Sequence, residues 1–205
     1  IASEGHADGD AIPPDVNIRQ VLSMKTARNR SDSQGGRAKL TFVGGGELWI
    51  DSVSMADEKI KSESALGTRE LPLELLRAIV WTNSPLIDRK IKAPSVDYDA
   101  VFVNTSSGER MVEGILEAVD SEFIRIKYKG ESKKIGLGKV KAIVTADLGL
   151  EKPDGAAAAI QLTDGSLIVG KILELEGGVF TVGVTAENSV QVPAGNVVSI
   201  VIQSD

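Results

Sequence analysis

Residues able to carry acid–base, nucleophilic or metal chemistry are few in this chain, and their spacing keeps them apart. The single histidine, His6, precedes every predicted strand, and the chain contains no cysteine. A Ser-His-Asp arrangement, thiolate catalysis and a zinc site built from Cys or His are therefore excluded. The acidic linker residues offer oxygen ligands for Ca²⁺ but lack the close alternate spacing of a calcium loop. We expect no catalytic site, no cofactor and no metal. The loose carboxylate groups are Asp97 with Asp99, and Asp147 with Glu151 and Asp154.

Three consecutive glycines, Gly44 to Gly46, have the composition of a phosphate-binding loop. Such a loop requires a following Lys and Ser or Thr at the start of a helix. Here Glu47 and the strand-like residues Leu48, Trp49 and Ile50 follow instead. We therefore interpret the glycines as a tight hairpin turn.

The strongest candidate for binding is a basic hairpin around a Gly130-Glu131 turn. Residues at alternate positions of a strand share a face, so Arg125, Lys127 and Lys129 are predicted to form one stripe. Such a stripe can meet phosphates or an acidic partner. A solvated outer face that protects a sheet edge explains the same lysines. The candidate interaction residues are Arg125, Lys127, Tyr128, Lys129, Lys133 and Lys134, with Lys139 and Lys141 close behind.

These residues belong to a β-rich tandem repeat. Residues 160–202 alternate apolar and polar side chains through successive strands, with an Asp164-Gly165 turn and a corner at residues 193–196. A shift of 57 residues places this block on residues 103–144 without a gap. A more diverged copy lies upstream, where residues 71–80 match 135–144 at a shift of 64. The chain therefore contains three copies.

The repeat resembles the SH3-like and Sm-like small β-barrels, through its two long strands, its exposed hairpin and its corner Val192-Pro193-Ala194-Gly195-Asn196 before a short last strand. In tandem, it is also similar to uncharacterised modules of secreted bacterial cell-envelope proteins. The resemblance implies an all-β fold of three tandem small barrels with a partly helical or disordered N-terminal arm. The expected divisions are an arm at 1–37, barrels at 38–82, 101–145 and 158–205, and linkers at 83–100 and 146–157.

Other segments carry narrower expectations. Asp15 to Arg28 has the N-cap and apolar spacing of a short helix that docks on a barrel or extends toward a partner, and a partly ordered tail is the alternative. Residues 86–91, between two prolines, predict one extra strand in the first linker. Trp49 aligns with Met111 and Ile168, which predicts a core or inter-repeat position, with a ligand platform as the alternative.

Chain length and charge limit the classes of partner that the protein can have. A copy of about 45 residues is near the size at which a lone core is marginal, so the copies are expected to pack together. The net charge of −6 disfavours nucleic acid and anionic membranes as general partners. No uncharged run approaches the roughly 18 residues of a membrane span. The net charge is +2 over residues 101–145 and −3 over residues 158–202. This difference favours head-to-tail attraction between chains, and ordinary variation of surface charge is the alternative explanation.

The resemblance does not extend to the ligands of either family. RNA-binding Sm proteins carry an Asp-x-x-x-Met-Asn type loop, whereas Asp51 to Met55 is followed here by Ala56, and no copy has the later Arg-Gly. Peptide-binding SH3 domains use clustered aromatics, which are only 4% of this chain.

The favoured function is a non-enzymatic structural or protein-interaction module whose partners are protein, in a homo-oligomer or a larger assembly. An Sm-like protein that binds nucleic acid through the basic hairpin is the alternative. The resemblance implies an extracellular, periplasmic or cell-envelope location, while the composition leaves the cytoplasm open. Because residue 1 is Ile rather than Met, we expect a processed chain or one cut from a longer protein.

Overall fold

The computed structural model describes residues 38–203, which form fifteen antiparallel β-strands and one α-helix. The all-β class is confirmed. The predicted arm, including His6 and the helix expected from Asp15 to Arg28, lies outside the described residues. No helix within the described range is long and apolar enough to cross a bilayer.

The strands fall into three successive units of five. The first unit contains β1 (Ala38–Phe42), β2 (Gly46–Ala56), β3 (Lys59–Ser64), β4 (Gly67–Pro72) and β5 (Leu76–Val80). After α1 (Pro85–Lys92), the second contains β6 (Asp99–Thr105), β7 (Gly108–Val119), β8 (Phe123–Tyr128), β9 (Glu131–Gly136) and β10 (Val140–Val144). The third contains β11 (Ala157–Leu162), β12 (Leu167–Glu176), β13 (Val179–Gly183), β14 (Ser189–Pro193) and β15 (Val197–Gln203).

Each unit has the same internal pairing. Its first strand pairs with the second and the fifth, the second pairs with the third, and the third pairs with the fourth. A 3₁₀ turn precedes the fifth strand in every unit. The second strand shifts register near its middle, and this bulge bends it so that its two halves pair with different neighbours.

The three units are hydrogen-bonded into one 15-stranded sheet. β5 pairs with β10, which joins the first and second units, and β2 pairs with β12, which joins the first and third. One hydrophobic cluster draws buried residues from all three units, including Leu40, Ile126 and Ile160. The copies therefore pack on one another, and the count of three separate barrels remains a prediction.

The residue offset between equivalent positions of the second and third units is not constant. Gly114 and Gly170 occupy the same position, because a Cβ at either would lie 2.3 Å from a carbonyl oxygen of the next strand. These glycines are 56 residues apart, whereas the 3₁₀ turns Leu137–Lys139 and Ala194–Asn196 are 57 apart. The expected uninterrupted shift of 57 is therefore wrong. The loops and turns between the strands differ in length, and side-chain alternation alone does not reveal such slips.

The alignment of Trp49 was also wrong, by one residue against Ile168 and by two against Met111. Pairing with the first strand of each unit makes Leu48, not Trp49, the counterpart of Val112 and Ile168. Successive strand residues point to opposite faces, so Leu48 enters the core and Trp49 faces the other way, half-buried.

The extra strand expected in the first linker is an α-helix, α1. Ser84 caps it, since its hydroxyl accepts a hydrogen bond from the Ile87 amide at 3.3 Å, and Pro85 occupies the first turn. Ile87 is fully buried against β5, β6 and β10, in a second cluster that also contacts Ile91. The helix therefore covers the face of the sheet where the first two units join.

Candidate interaction surfaces

The basic hairpin forms with its turn at Lys129 and Gly130, one residue earlier than predicted, and its charges divide between two faces. Directly opposed residues share a face, so Arg125 lies with Lys134, while Lys133 lies with the buried Ile126. Lys129 has a φ of 52° and occupies the turn after β8. The predicted stripe of Arg125, Lys127 and Lys129 therefore loses its third member and gains Lys134.

Aromatic rings order the lysines of this hairpin. The ammonium of Lys134 lies 4.3 Å from the Phe123 ring centroid, and those of Lys129 and Lys133 each lie 5.3 Å from the Tyr128 centroid. Such cation–π contacts at exposed sites contribute about 0.5–1 kcal/mol each. The lysine side chains remain solvent-exposed, so the rings position the charges without neutralising them.

An open groove of about 620 Å³ lies beside this hairpin. Its wall carries four basic side chains and Tyr128, together with Glu113, which pairs with Lys90 of α1 at 2.7 Å. The arrangement suits an anionic ligand with a ring or apolar portion. Arg110 was missed by sequence reasoning because it lies on β7, far along the chain from the hairpin. The basic side chains are Arg110, Lys133, Lys134 and Lys139.

A second groove, of about 740 Å³, separates the first and second units and has the opposite charge. Its lining includes three exposed apolar side chains, Val96, Ile115 and Leu148, which are 71%, 54% and 61% exposed. This combination suits a cationic protein segment with apolar side chains. The sequence did not predict it, because its residues come from several separated segments. The acidic residues lining it are Asp57, Glu58, Glu70, Glu74, Asp97 and Asp99.

Two of the loose carboxylates, Asp99 and the calcium candidate Asp147, have structural partners. Asp99 accepts hydrogen bonds from the backbone amides of Leu116 at 2.7 Å and Ala146 at 2.9 Å. Asp147 accepts from the Arg77 guanidinium at 3.1 Å and from the Gly149 amide at 3.2 Å, and these contacts lower its pKa below the usual value. Across residues 38–203, no three His, Cys, Asp or Glu side chains converge to hold a metal ion.

A polar network fixes α1 to the second unit. Glu109 on β7 accepts hydrogen bonds from the Lys141 ammonium and from the Ser84 hydroxyl, the latter at 2.8 Å. The Lys141 hydrogen bond is the main cause that lowers the pKa of Glu109 below its usual value, and Ser84 adds to it. Lys141, one of the basic residues near the hairpin, is therefore engaged in holding the helix.

The glycine loop and Trp49 both lie at the junction of the first and third units. A Cβ at Gly46 would lie 2.6 Å from the carbonyl oxygen of Leu167, so the glycines permit close backbone approach to β12. The backbone amide of Trp49 donates to the buried Ser166 hydroxyl at 2.9 Å, and the Lys39 ammonium lies 6.0 Å from the Trp49 ring centroid. Trp49 thus lies between repeats. Its use as a ligand platform remains a prediction.

The outer edge of β15 is a third surface. β15 pairs with β11 on one side, and no strand among residues 38–203 pairs with its other side. Val198, Val201 and Ile202 are 43%, 48% and 53% exposed along this strand. An apolar strand with an open edge is a template for pairing with another chain.

Comparison of the chain with protein-family models, curated proteins and solved structures found no match. The resemblance to SH3-like and Sm-like barrels and to envelope modules is therefore supported by no related sequence or structure.

Proposed function

We propose that this chain is a non-enzymatic structural and protein-interaction module that self-associates or forms part of a cell-envelope assembly. The observation that carries the proposal is the way its units join. Strand edges pair between units at β5–β10 and β2–β12, and within the described part of the chain the corresponding edge of β15 has no partner strand. The repeats within one chain thus associate through their strand edges, and a free edge can bind a strand of another chain in the same way.

The finer assignment to SH3-like or Sm-like barrels belongs to this proposal. It is supported by the identical pairing order of the five strands in each unit and by the 3₁₀ turn before the fifth strand. Folds of this kind serve many functions, so the barrel assignment adds no ligand by itself. Export to the envelope, the periplasm or the exterior is proposed on the sequence resemblance, and fractionation of cells that express the full gene tests it.

Self-association is tested by light scattering on the purified chain at low and high salt. We expect oligomers at tens of micromolar, and a strict monomer at both salt concentrations removes self-association from the proposal. The charge difference between the second and third units adds a prediction, since head-to-tail attraction weakens as salt rises. An enzymatic turnover that survives purification and is lost on mutation of Asp97, Asp99 or Asp147 defeats the non-enzymatic part.

Nucleic-acid binding through the basic hairpin is the second candidate. The groove lined by Arg110, Lys133, Lys134 and Lys139 with Tyr128 favours it, because cations beside a ring suit phosphates and bases. A salt-dependent shift of RNA or DNA that is abolished by changing Lys127, Lys129, Lys133 and Lys134 to Glu supports it. The absence of any shift at low salt, with the unchanged protein, removes it.

A further inference from the structure

The joint between the first and second units has an internal two-fold symmetry. β5 and β10 are equivalent strands 64 residues apart, each the fifth strand of its unit and each following a 3₁₀ turn. They pair antiparallel with Ile79 opposite Ile143, which are themselves equivalent residues. Ala78 lies opposite Val144 and Ala142 opposite Val80, so the two halves of the joint repeat each other. An arrangement in which each partner uses the same surface is isologous.

β15 is the third equivalent strand, and no strand among residues 38–203 pairs with its matching edge. It follows the 3₁₀ turn Ala194–Asn196, and Ile200 occupies the position of Ile79 and Ile143. Ile200 packs partly against the common core from the unit's own side, while Val201 and Ile202 are about half exposed. Two copies of the repeat cover this edge for each other, and in the third copy no described strand covers it.

We propose that β15 pairs antiparallel with β15 of a second copy of this chain, with Ile200 on the two-fold axis. The internal joint dictates the register, which places Ser199 opposite Val201 of the partner copy and Val198 opposite Ile202 of the partner copy. The pairing covers all three exposed apolar residues of β15. The proposal rests on the proposed self-association and specifies its surface, its symmetry and its register.

The composition of β15 favours this pairing over the other open edges. Strand edges are commonly protected from association by charged residues and proline. β4 carries Arg69 and Glu70, β9 carries Glu131, Lys133 and Lys134, and β14 ends at Pro193. β15 has neither charge nor proline over its seven residues. The contacts of this dimer are apolar side-chain contacts and backbone hydrogen bonds. Its stability is therefore insensitive to salt, whereas a head-to-tail association driven by charge weakens as salt rises.

The test compares two lysine substitutions by sedimentation and light scattering, with circular dichroism to verify folding. Val201→Lys places a charge in the proposed interface, whereas Leu175→Lys places one on β12, where Leu175 is 58% exposed. We expect the unchanged chain and Leu175→Lys to be dimers at low and high salt. We expect Val201→Lys to raise the dimer dissociation constant about tenfold or more.

A cross-link tests the register without relying on folding of the lysine variant. The chain has no cysteine, so Ile200→Cys introduces one thiol, which on the axis lies opposite its own copy. We expect mild oxidation to give covalent dimers for Ile200→Cys and none for the control Leu175→Cys. If oligomers form but Val201→Lys leaves them intact and Ile200→Cys does not cross-link, the β15 interface is overturned and self-association stands. If the unchanged chain is a strict monomer, both are overturned.

Discussion

Ile79 and Ile143 face each other across the β5–β10 ladder, and both are fully buried. On the other face of the same ladder, Ile87 of α1 packs against the small side chains of Ala78 and Ala142. Both faces of the joint between the first two units are thus buried. The segment that connects those units contributes α1 to one of these faces, so it is more than a connection.

The first prediction concerns this helix. Ile87→Ala leaves a cavity over the joint, and we expect it to lower the free energy of unfolding by about 2–4 kcal/mol. Leu86→Ala is the matched control, because Leu86 is 38% exposed and its truncation is expected to cost less than about 1 kcal/mol. Urea denaturation of both variants measures the difference, and equal costs would show that α1 does not cover the joint.

The second prediction concerns the glycine loop at the junction of the first and third units. Gly46 and Gly67 both have positive φ, at 91° and 79°, so alanine at either is expected to carry a similar backbone strain of about 1–3 kcal/mol. Only at Gly46 does the added Cβ also meet backbone, 2.6 Å from the Leu167 oxygen. We therefore expect Gly46→Ala to destabilise the protein by at least about 1 kcal/mol more than Gly67→Ala.

Thermal denaturation of the two glycine variants provides the comparison. Equal losses would mean that the loop is a hairpin turn and nothing more. The sequence predicted the turn correctly, because three glycines without a following Lys are incompatible with a phosphate loop. It gave no indication of β12 as the neighbour, because proximity to a strand more than 100 residues later leaves no local pattern.

The strands themselves were predictable because each has one face in the core. Alternation located the strands of all three units. The helix α1 was missed although its signal was present. Ser84 and Pro85 form a typical N-cap and first position, and Ile87 and Ile91 have helical spacing. Pro85 and Pro94 on either side favour a linker, which obscures the cap in the sequence.

The surfaces were less predictable than the strands. Charge density along the chain located the basic hairpin, yet the turn conformation of Lys129 and the pairing of Lys133 with Ile126 required the register. Both grooves gather residues from several strands, so composition within any one segment could not locate them.

The third prediction concerns acid stability. The pKa of Glu109 is lowered in the folded protein by Lys141 and Ser84, so its ionised form stabilises the fold above its unfolded pKa of about 4.5. That contribution is lost as the pH falls through the lower, folded pKa. We expect Glu109→Gln to cost about 1 kcal/mol near neutral pH, since the pair with Lys141 is only partly exposed, and to cost progressively less below about pH 4.5.

The control for Glu109 is Glu131→Gln. Glu131 lies 3.7 Å from Lys133 and is 78% exposed, so we expect its substitution to change stability little at any pH. Denaturant titrations at several pH values compare the two variants. A cost for Glu109→Gln that does not change with pH would show that the loss is steric rather than ionic.

The last prediction is that the units do not fold independently. The third unit depends on the first, because β12 pairs with β2 at Leu167 and Ile168, and the Ser166 hydroxyl satisfies the Trp49 amide. Its core belongs to a cluster shared with the other two units, and a domain of about 45 residues buries too little surface to stabilise itself. Residues 158–205 expressed alone are therefore expected to lack a cooperative melt. Residues 38–205, which retain every described contact, are the matched control and are expected to melt cooperatively. A melt of residues 158–205 at the temperature of the control would contradict the prediction.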